Sequence, residues 1–325
     1  MAYAELLGEH ESIRQMRALI ARIAASPART VLLYGETGTG KGLVARMLHR
    51  LSPRAQKPFV DVNCAAIPAS LMESELFGHE RGAFTGAAGA KQGLIEAADG
   101  GTLFLDEIRE MDLQLQAKLL TLMDTRSFRR LGAVRQTSVD VRFVASTNKV
   151  LLSEVKAGRF RDDLYWRLQV VPVNIPPLRE RGDDVLLLAH AFLRHHGARC
   201  GRAIEGLEPA VADIFRRYSW PGNVRELENL IERIAILETD PWVRVRHLPD
   251  RILREVEGRA APAAAEPAAV PVGDFHAATE RFQKALIEAA LREAKGRHGR
   301  AAERLGLSRH ALRHQMRKLG IPAEA

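Results

Sequence analysis

The sequence predicts an α/β domain built on a parallel sheet, followed by a small all-α domain. Four short apolar or β-branched runs stand before residue 150, with the sequences TVLLYG, FVDVN, TLFLDE and VRFVAST. Segments with helical periodicity separate them, which is the pattern of parallel strands covered by helices on both faces. An Ala- and Pro-rich stretch, GRAAPAAAEPAAVPVG, then precedes a basic C-terminal segment, so we expect a change of domain near residue 258.

The first run ends in GETGTGKG, residues 35–42, whose glycine spacing fits a phosphate-binding loop. Ligands of parallel sheets bind beyond the carboxyl ends of the strands, where this loop would lie. Its backbone N–H groups would surround phosphate oxygens, and Lys41 would place its charge on the β- and γ-phosphates. Gly42 replaces the usual Ser or Thr, which removes one expected Mg²⁺ ligand. A strand–helix turn without a ligand is the alternative. The predicted nucleotide-binding residues of the loop are Gly35, Glu36, Thr37, Gly38, Thr39, Gly40, Lys41 and Gly42.

The third run ends in two adjacent carboxylates, Asp106 and Glu107. A buried strand that ends this way is costly unless a cation meets the carboxylates. We therefore predict that Asp106 holds Mg²⁺ and that Glu107 orients or deprotonates an attacking water. Two solvated carboxylates that cap the following helix are the alternative.

The second and fourth runs end in neutral polar residues, Asn63 and the pair Thr147-Asn148. Such side chains would hold the catalytic water or sense the γ-phosphate, although each is equally suited to an ordinary turn at a strand end. Taken with the other two strand ends, they predict one shared pocket.

Three arginines beyond the sheet are candidates for contact with phosphate. Arg161 and Arg167 lie in FRDDLYWRL, and their planar guanidinium groups suit a developing phosphoryl charge in a neighbouring subunit's site. Surface salt bridges to Asp162 and Asp163 are the alternative. Arg225, in WPGNVREL, is expected on an early helical turn of a lid, within reach of the phosphates of its own chain.

Composition limits the remaining possibilities. A chain of 325 residues allows two or three domains, since single cores usually stop growing near about 250 residues. No stretch has the length of a signal-peptide core or of a membrane span, and Cys64 and Cys200 have no spacing for a disulfide framework or a metal. We therefore expect a cytoplasmic protein without membrane contact, with both cysteines packed inside. The net charge of +8 is concentrated between residues 295 and 318, which hold eight Lys or Arg against one Glu.

This basic segment contains RAAERLGLSRHALRHQMRKLG, which resembles the two helices and the turn of a Fis-type helix-turn-helix. In the second helix Leu312, Met316 and Leu319 fall on one side and the basic residues on the other, so one side would pack and the other would meet DNA. A merely solvated basic helix is the alternative. The predicted DNA-binding residues are Arg300, Ser308, Arg309, His310, Arg313, His314 and Arg317.

The motifs together resemble a known family, the AAA+ activators of sigma-54-dependent transcription, also called bacterial enhancer-binding proteins. The resemblance runs from about residue 7 to the C-terminus, through GETGTGK, ELFGHERGAFTGA, GGTLFLDEI, FRDDLYWRL, PPLRER and WPGNVREL. GAFTGA, residues 82–87, is found almost only in that family. The resemblance implies an AAA+ P-loop NTPase with a helical lid and a Fis-type helix-turn-helix. It further implies a ring, expected to be a hexamer, that hydrolyses ATP with Mg²⁺ to convert the closed complex of the sigma-54 RNA polymerase holoenzyme into the open complex.

The resemblance also implies roles for individual residues. Asn63 would couple Glu107 to the GAFTGA loop, and Thr147-Asn148 would be the first sensor. Arg161 and Arg167 would act in trans, and Arg225 would be the second sensor. The physical properties of the GAFTGA loop agree with contact to a partner, since glycines at 82 and 86 allow hinging and an exposed aromatic offers a large contact area. The residues implied to contact sigma-54 are Gly82, Ala83, Phe84, Thr85, Gly86 and Ala87.

The expected domains are an ATPase core at 1–175, a lid at 176–257, a linker at 258–273 and a helix-turn-helix domain at 274–325. Most members of the family carry an acidic residue where this chain has Gly42. The ATPase is expected to begin almost at the first residue, without an N-terminal receiver or ligand-sensing domain, so control would come from a separate regulatory protein, from the expression level or from a further domain. Double-stranded DNA upstream of the promoter is the expected binding site.

Two other functions remain open from the sequence. One is a site-specific DNA-binding regulator that uses its AAA+ domain only for nucleotide-dependent assembly, although such proteins typically lose the loop motif. The other is a replication initiator or helicase loader, which would lack GAFTGA altogether. Retention of GAFTGA therefore favours the sigma-54 activator.

Overall fold

The structure is a computed structural model that describes residues 5–258, 298–304 and 309–319, with the single positions 284, 287, 290, 291, 294 and 321. The chain forms two compact units, Met1–Arg259 and Ala260–Ala325. Of the predicted sites, Ser308 lies outside the described residues, as do the side chains of Arg309, His310 and His314 and all of the predicted linker except residue 258. The proposed division between residues 175 and 176 falls inside the first unit and stays a prediction.

The first unit alternates strands and helices. Its strands are β1 (Thr30–Tyr34), β2 (Phe59–Asn63), β3 (Gly78–His79), β4 (Lys91–Gln92), β5 (Thr102–Asp106), β6 (Ser127–Phe128), β7 (Thr137–Ser138), β8 (Arg142–Thr147), β9 (Pro172–Asn174), β10 (Gly206–Leu207) and β11 (Trp242–Val243). Its helices are α1 (Glu11–Ala25), α2 (Lys41–Arg50), α3 (Ala69–Phe77), α4 (Leu94–Ala97), α5 (Leu113–Thr125), α6 (Leu151–Lys156), α7 (Asp162–Leu168), α8 (Asp184–Arg199), α9 (Pro209–Arg217), α10 (Asn223–Leu237) and α11 (Asp250–Val256). Short 3-10 helices span Ile108–Glu110, Leu178–Glu180 and Val245–His247.

The central sheet is parallel, with the strand order β2-β5-β8-β1-β9. All four predicted runs are strands of this sheet, which confirms the predicted fold class. Asn63 pairs with Asp106, and Tyr34 pairs with Thr147, so the carboxyl ends of the strands are in register. The polar residues that follow each strand therefore meet at one edge.

The fifth strand, β9, was not predicted. It has three residues, begins with a proline and pairs with β1 at the edge of the sheet. An edge strand tolerates proline because one side of its backbone needs no partner in the ladder. Three residues are too few to show the alternation of apolar and polar side chains by which a strand is recognised in a sequence.

Both faces of the sheet are buried, as the unbroken apolar runs predicted. Val31 and Leu33 of β1 pack with apolar side chains of α1 and α2, whereas Leu32 between them packs with those of α3, α5 and α7. Because successive side chains of a strand point to opposite faces, this places helices on both sides of the sheet.

A second cluster of apolar side chains, from Leu178 to Val256, joins α8, α9, α10 and α11. Its centre is Trp220, whose ring stands edge-on to those of Phe215 and Tyr218 and whose indole N–H donates to the Phe215 carbonyl at 2.8 Å. Trp220 and Asn223 both have positive φ, so the aromatic packing holds a tight turn at the start of α10. We refer to residues 178–256 as the lid.

The described part of the second unit contains α12 (His298–Arg304) and α13 (Arg309–Lys318). Leu312 and Met316 are fully buried against Ala301 and Ala302, while Leu319 is partly buried beside them. This confirms the predicted packing side of the second helix.

Cys64 is buried, as expected, whereas Cys200 is exposed at the end of α8, so the prediction that both cysteines pack inside was wrong for Cys200. Cys200 follows the last two residues of α8, Ala198 and Arg199, which are exposed, and no apolar period of the sequence extends to it. Within the described ranges, no helix is both long enough and apolar enough to cross a membrane.

Candidate functional site

The predicted phosphate loop joins the end of β1 to the start of α2. Gly38 and Gly40 have φ values of 81° and 101°, a left-handed region that glycine adopts without strain. The Lys41 ammonium donates to the Gly35 carbonyl at 2.9 Å and lies 3.6 Å from the Glu107 carboxylate. Lys41 is only 7% exposed, so its charge is balanced by these oxygens at the base of the loop.

A cavity of about 280 Å³ opens above this loop, near the small end of the range of about 300–1,000 Å³ for ligand pockets. One part of its wall is polar, with the phosphate loop, Asp106, Glu107, Arg181 and Arg225. The other part is apolar, and its side chains are Leu6, Leu7, Leu188, Phe192 and Val224. A wall of this kind suits a ligand with a charged end and a flat apolar end, such as a nucleoside phosphate.

The two predicted catalytic carboxylates both line this cavity. The Ser146 hydroxyl donates to Asp106 Oδ1, which fixes the orientation of that carboxylate. Glu107 has a φ of 52°, and its side chain makes no capping hydrogen bond to the short helix that follows. Glu107 Oε2 is buried and has no hydrogen-bond partner among the described residues. The predicted alternative, helix-capping carboxylates, therefore finds no support at Glu107.

The oxygen donors of this edge suit Mg²⁺, which binds through one or two carboxylates together with substrate phosphates. Asp106 supplies such a carboxylate beside the phosphate loop. In the part of the chain that the structure describes, no three His, Cys, Asp or Glu side chains cluster as a metal site on their own. A magnesium ion here would therefore depend on the phosphates of the nucleotide for its other ligands.

The neutral strand-end residues Asn63, Thr147 and Asn148 are not among the described residues that line the cavity. Asn148 donates from Nδ2 to the Thr37 hydroxyl at 3.2 Å, which ties it to the phosphate loop. Thr147 accepts from the backbone N–H of Lys149 at 3.2 Å. Asn63 accepts from the backbone N–H of Ala65 at 3.0 Å, as a turn former does. The role of Asn63 in coupling Glu107 to the GAFTGA loop stays a prediction.

Arg161 and Arg167 lie at the two ends of α7, and neither is among the described residues that line the cavity. Arg161 pairs with Asp163 at 2.7 Å, and Arg167 pairs with Asp124 at 3.1 Å. Both guanidinium groups are at least 40% exposed. Exposed pairs of this kind contribute little to stability, so exchanging either carboxylate partner for a phosphate would cost little.

Three lid residues also contact the phosphate loop, and the sequence interpretation did not name them. Arg179 binds the Glu36 carboxylate, Arg181 donates to the Thr39 carbonyl, and Asn223 donates to Glu36 and to the Thr37 carbonyl. They lie in PPLRER and WPGNVREL, two motifs from which only Arg225 had been selected. Arg225 is the third residue of α10, as predicted, and its side chain lines the cavity.

The GAFTGA loop leaves the body of the first unit through the short pair β3 and β4. Gly82 and Gly86 have φ values of 79° and 107°, and a Cβ added at either would meet no described atom within 4 Å. The Phe84 ring is 40% exposed and stands edge-on to the His79 ring, with 5.0 Å between the ring centres. Phe84 and Thr85 are not among the residues of the cavity wall. The loop is thus separate from the nucleotide pocket.

The described basic residues of the second unit lie on the side opposite its core. Arg300, Arg313 and Arg317 are exposed, whereas Leu312 and Met316 are buried. This arrangement leaves the guanidinium groups accessible to an acidic partner.

Comparison with known proteins divides the chain into three matching regions. A sigma-54 interaction domain matches residues 6–174, an AAA+ ATPase lid domain matches residues 179–265, and a bacterial regulatory protein region of the Fis family matches residues 278–319.

Individual relatives match over most of the chain. It is 46% identical over 307 residues to the regulatory protein AtoC of Escherichia coli (strain K12), covering 94% of this chain and 65% of AtoC. It is 42% identical over 316 residues to the response regulator protein PilR of Pseudomonas aeruginosa, covering 97% of this chain and 70% of PilR. The crystal structure of NtrX from Brucella abortus in complex with ATP matches with a TM-score of 0.72 and 36% identity, over 97% of this chain and 69% of NtrX. The chain thus spans about two thirds of the length of these relatives.

Proposed function

The chain belongs to the family of sigma-54-dependent transcription regulators, with a sigma-54 interaction domain, an AAA+ lid and a Fis-type helix-turn-helix region, and from this membership we propose that it is an ATP-driven activator of promoter opening. It binds DNA upstream of the promoter and assembles into a ring, expected to be a hexamer. It then uses ATP hydrolysis to remodel the closed complex of sigma-54 RNA polymerase. We expect it to act in the cytoplasm, where these partners are found.

One observation carries this proposal. A single compact unit contains both a cavity with Lys41, Asp106 and Glu107 in its wall and, outside that cavity, a hinged loop that displays Phe84. A nucleotide sensor used only for assembly needs the cavity but has no use for the displayed aromatic. The bound NtrX structure supports a nucleotide as the ligand of the cavity.

The residues of the cavity divide the work of hydrolysis. The N-terminus of α2 and Lys41 stabilise the phosphates, because backbone N–H groups and an ammonium meet there. Glu107 orients the attacking water and accepts its proton, with Lys41 3.6 Å away to balance its charge. Bound Mg²⁺, held by Asp106, would neutralise charge that develops on the phosphates. Asn148 contacts the Thr37 hydroxyl and the Arg225 backbone N–H contacts the Gly38 carbonyl, so a role for both as sensors of the nucleotide is proposed.

The test is a transcription assay with sigma-54 holoenzyme, the full chain, ATP and either a duplex or a pre-melted promoter. We expect open complexes on duplex DNA only with hydrolysable ATP, and a weaker requirement on pre-melted DNA. The matched control replaces ATP with a non-hydrolysable analogue. If ATP drives assembly and DNA binding without any promoter opening, the chain is instead a DNA-binding regulator that uses nucleotide only to assemble.

Arg161 and Arg167 should complete the site of a neighbouring subunit. Arg161→Ala and Arg167→Ala chains should each bind ATP but hydrolyse it slowly, as should mixtures of the two. Mixing either with Lys41→Ala chains should restore hydrolysis, because an intact nucleotide site then meets an intact arginine. In an equimolar mixture roughly a quarter of the sites would be complete, since each needs one variant on either side. Mixed rings that form normally but show no recovery at any ratio would argue against the trans role.

The exposed arginines of the second unit should differ in what they contribute to DNA binding. Arg313, on the N-terminal half of α13, is expected to read a base edge together with Arg309, whereas Arg300 and Arg317 are expected to meet phosphates. Arg313→Ala should cost about 1–3 kcal/mol and relax specificity at one position. Arg300→Ala should weaken binding to all sequences alike and lower the salt slope by about one. Equal effects of both variants on specific and random DNA, measured by titration over a salt series, would contradict this division.

A further inference from the structure

We propose that the lid residues Arg179, Arg181 and Asn223 are positioning residues that hold the phosphate loop in its nucleotide-binding shape, with Glu36 as their anchor. The inference rests on the proposed ATPase function and adds to it a group of residues that need not touch the nucleotide. We refer to these three residues and Glu36 as the lid clasp.

The first contact of the lid clasp is a fork between two charged groups. Arg179 donates from Nη1 to Glu36 Oε2 at 2.8 Å and from Nη2 to Glu36 Oε1 at 2.6 Å. This bidentate geometry fixes both the distance and the plane of the carboxylate. Hydrogen bonds from Arg179 and then Asn223 lower the pKa of Glu36 to about 2, so Glu36 stays ionised throughout the neutral range.

The second contact is made by Asn223, which is fully buried. Its Nδ2 donates both to Glu36 Oε2 at 3.1 Å and to the Thr37 carbonyl at 3.1 Å. Its Oδ1 accepts from the backbone N–H of Leu178 at 2.8 Å. One amide thus joins the phosphate loop, the short helix that carries Arg179, and the start of α10. Asn223 also has a φ of 50°, a conformation that asparagine tolerates better than most residues.

The lid also approaches the backbone of the loop directly. A Cβ on Gly38 would lie 2.1 Å from the Gly222 carbonyl oxygen, so only glycine allows the two segments to lie this close. The Arg225 backbone N–H donates to the Gly38 carbonyl at 3.3 Å. Arg181, which is 1% exposed, donates to the Thr39 carbonyl at 3.1 Å. Burial lowers the pKa of Arg181 to about 10, which still leaves it charged at neutral pH.

These contacts bind three successive carbonyl groups of the loop, those of Thr37, Gly38 and Thr39. In a trans peptide the N–H of the next residue points to the opposite side from the carbonyl. Holding the carbonyls toward the lid therefore turns the N–H groups of residues 38–40 to the other side, where that of Thr39 donates to the Glu36 carbonyl at 3.3 Å. The shape that a phosphate would need is thus imposed by the lid as well as by the glycines of the loop.

The lid clasp also links the loop to a predicted sensor. Asn223 and Arg225 lie two residues apart on the first turn of α10, so one rigid element holds both the loop and a side chain of the cavity wall. A rotation of α10 would therefore change the grip on the phosphates and the position of Arg225 together. Nucleotide release is thereby coupled to movement of the lid.

The decisive variant is Asn223→Asp, because it keeps the size and backbone preference of asparagine but replaces its donor with a carboxylate beside Glu36. We expect the full-length variant to bind a fluorescent ADP analogue at least about tenfold more weakly than wild type at pH 8. The loss of affinity should become smaller toward pH 6. Repulsion between two adjacent carboxylates raises the pKa of the pair, so that one of them binds a proton and can again donate a hydrogen bond. The affinity of the variant is divided by that of wild type at the same pH, which removes any effect of pH on binding by the wild-type protein. Asn229→Asp, an exposed position on the same helix, is the matched control and should show neither effect.

A second pair of variants covers the case in which Asn223→Asp does not fold. Glu36→Arg and Arg179→Glu should each weaken binding of the analogue, and the double variant should recover a large part of it because the fork is rebuilt in reverse. Hydrogen exchange of residues 36–40 in the nucleotide-free protein should rise in the single variants and fall back in the double variant.

The outcomes distinguish this inference from the proposed function. Wild-type affinity at pH 8 in Asn223→Asp would overturn the role of Asn223. Absence of recovery in the Glu36–Arg179 double variant would overturn the fork. If variants and wild type bind nucleotide equally well and show equal exchange, the lid clasp is wrong while the ATPase function stands. If wild type binds no ADP or ATP analogue at all, both are wrong.

Discussion

Replacing Glu107 with glutamine is expected to lower ATP hydrolysis by about a hundredfold to ten-thousandfold while leaving ATP binding within a few fold of wild type. The expectation follows from the position of this side chain. Glu107 lines the cavity, and its Oε2 atom has no hydrogen-bond partner within the described part of the chain. The carboxylate is thus placed to accept a proton, whereas the isosteric amide would fill the same space without accepting it.

Two further variants make this result specific. Lys41→Ala should lose ATP binding itself, because it removes the ammonium that meets the phosphates. Glu110→Gln is the matched control, since Glu110 ends the short helix that begins after Glu107, does not line the cavity, and lies 2.6 Å from Arg109, whereas Glu107 lies 3.8 Å from the same side chain. Its hydrolysis rate should stay within about twofold of wild type. Steady-state hydrolysis and titration with a fluorescent nucleotide measure the two quantities separately, and near-normal turnover by Glu107→Gln would remove the catalytic role.

Replacing Phe84 with alanine should abolish promoter opening with little change in ATP hydrolysis or assembly. Phe84 is 40% exposed and lies outside the nucleotide cavity, so its loss leaves the chemistry of Lys41, Asp106 and Glu107 intact. An exposed aromatic that anchors a partner often contributes at least about 2 kcal/mol, which corresponds to a loss of about thirtyfold or more in the complex it stabilises. Thr85→Ala should act in the same direction.

The control for this variant is Leu19→Ala, which removes an apolar side chain of similar exposure, 39%, from α1. It should open promoters as wild type does. Open complexes on a duplex sigma-54 promoter, hydrolysis and oligomer size are measured on the same preparations. Full opening by Phe84→Ala would show that the aromatic is not the contact, whereas loss of hydrolysis would place the loop in the chemistry rather than in its transmission.

Much of the sheet was accessible to sequence reasoning because a parallel strand buried on both faces has a recognisable composition. Each predicted run ends within one residue of the end of a strand, and the parallel arrangement brings Asn63, Asp106 and Thr147 to one edge. A shared pocket was predicted from these ends and from the glycine spacing before Lys41, but of the three only Asp106 lines the cavity. The short strand β9 lacked both length and alternation and was missed.

The contacts between lid and loop were beyond reach for a different reason. Arg179 and Asn223 are separated from Glu36 by 143 and 187 residues, and nothing local to any of them indicates the other. The sequence around PPLRER has no periodicity or motif spacing that would show whether an arginine there contacts the phosphate loop or lies free at the surface. The same limit explains the partners of Arg167, which pairs with Asp124 rather than with the adjacent acids considered from the sequence. Such pairings are decided by tertiary packing.

The narrow base of the GAFTGA loop limits how far its tip can travel. β3 and β4 pair at Gly78–His79 and Lys91–Gln92, so the two ends of the intervening segment are held one strand spacing apart, about 5 Å. Phe84 is five residues beyond His79, and a fully extended chain spans about 3.3–3.6 Å per residue. The Cα of Phe84 can therefore lie no more than about 18 Å from the ladder at its base, and the ring extends a few ångström beyond it. A partner must come within this distance to contact Phe84. A small rotation of the β3–β4 pair produces a larger displacement at the tip of the loop, because the tip lies far from the pair.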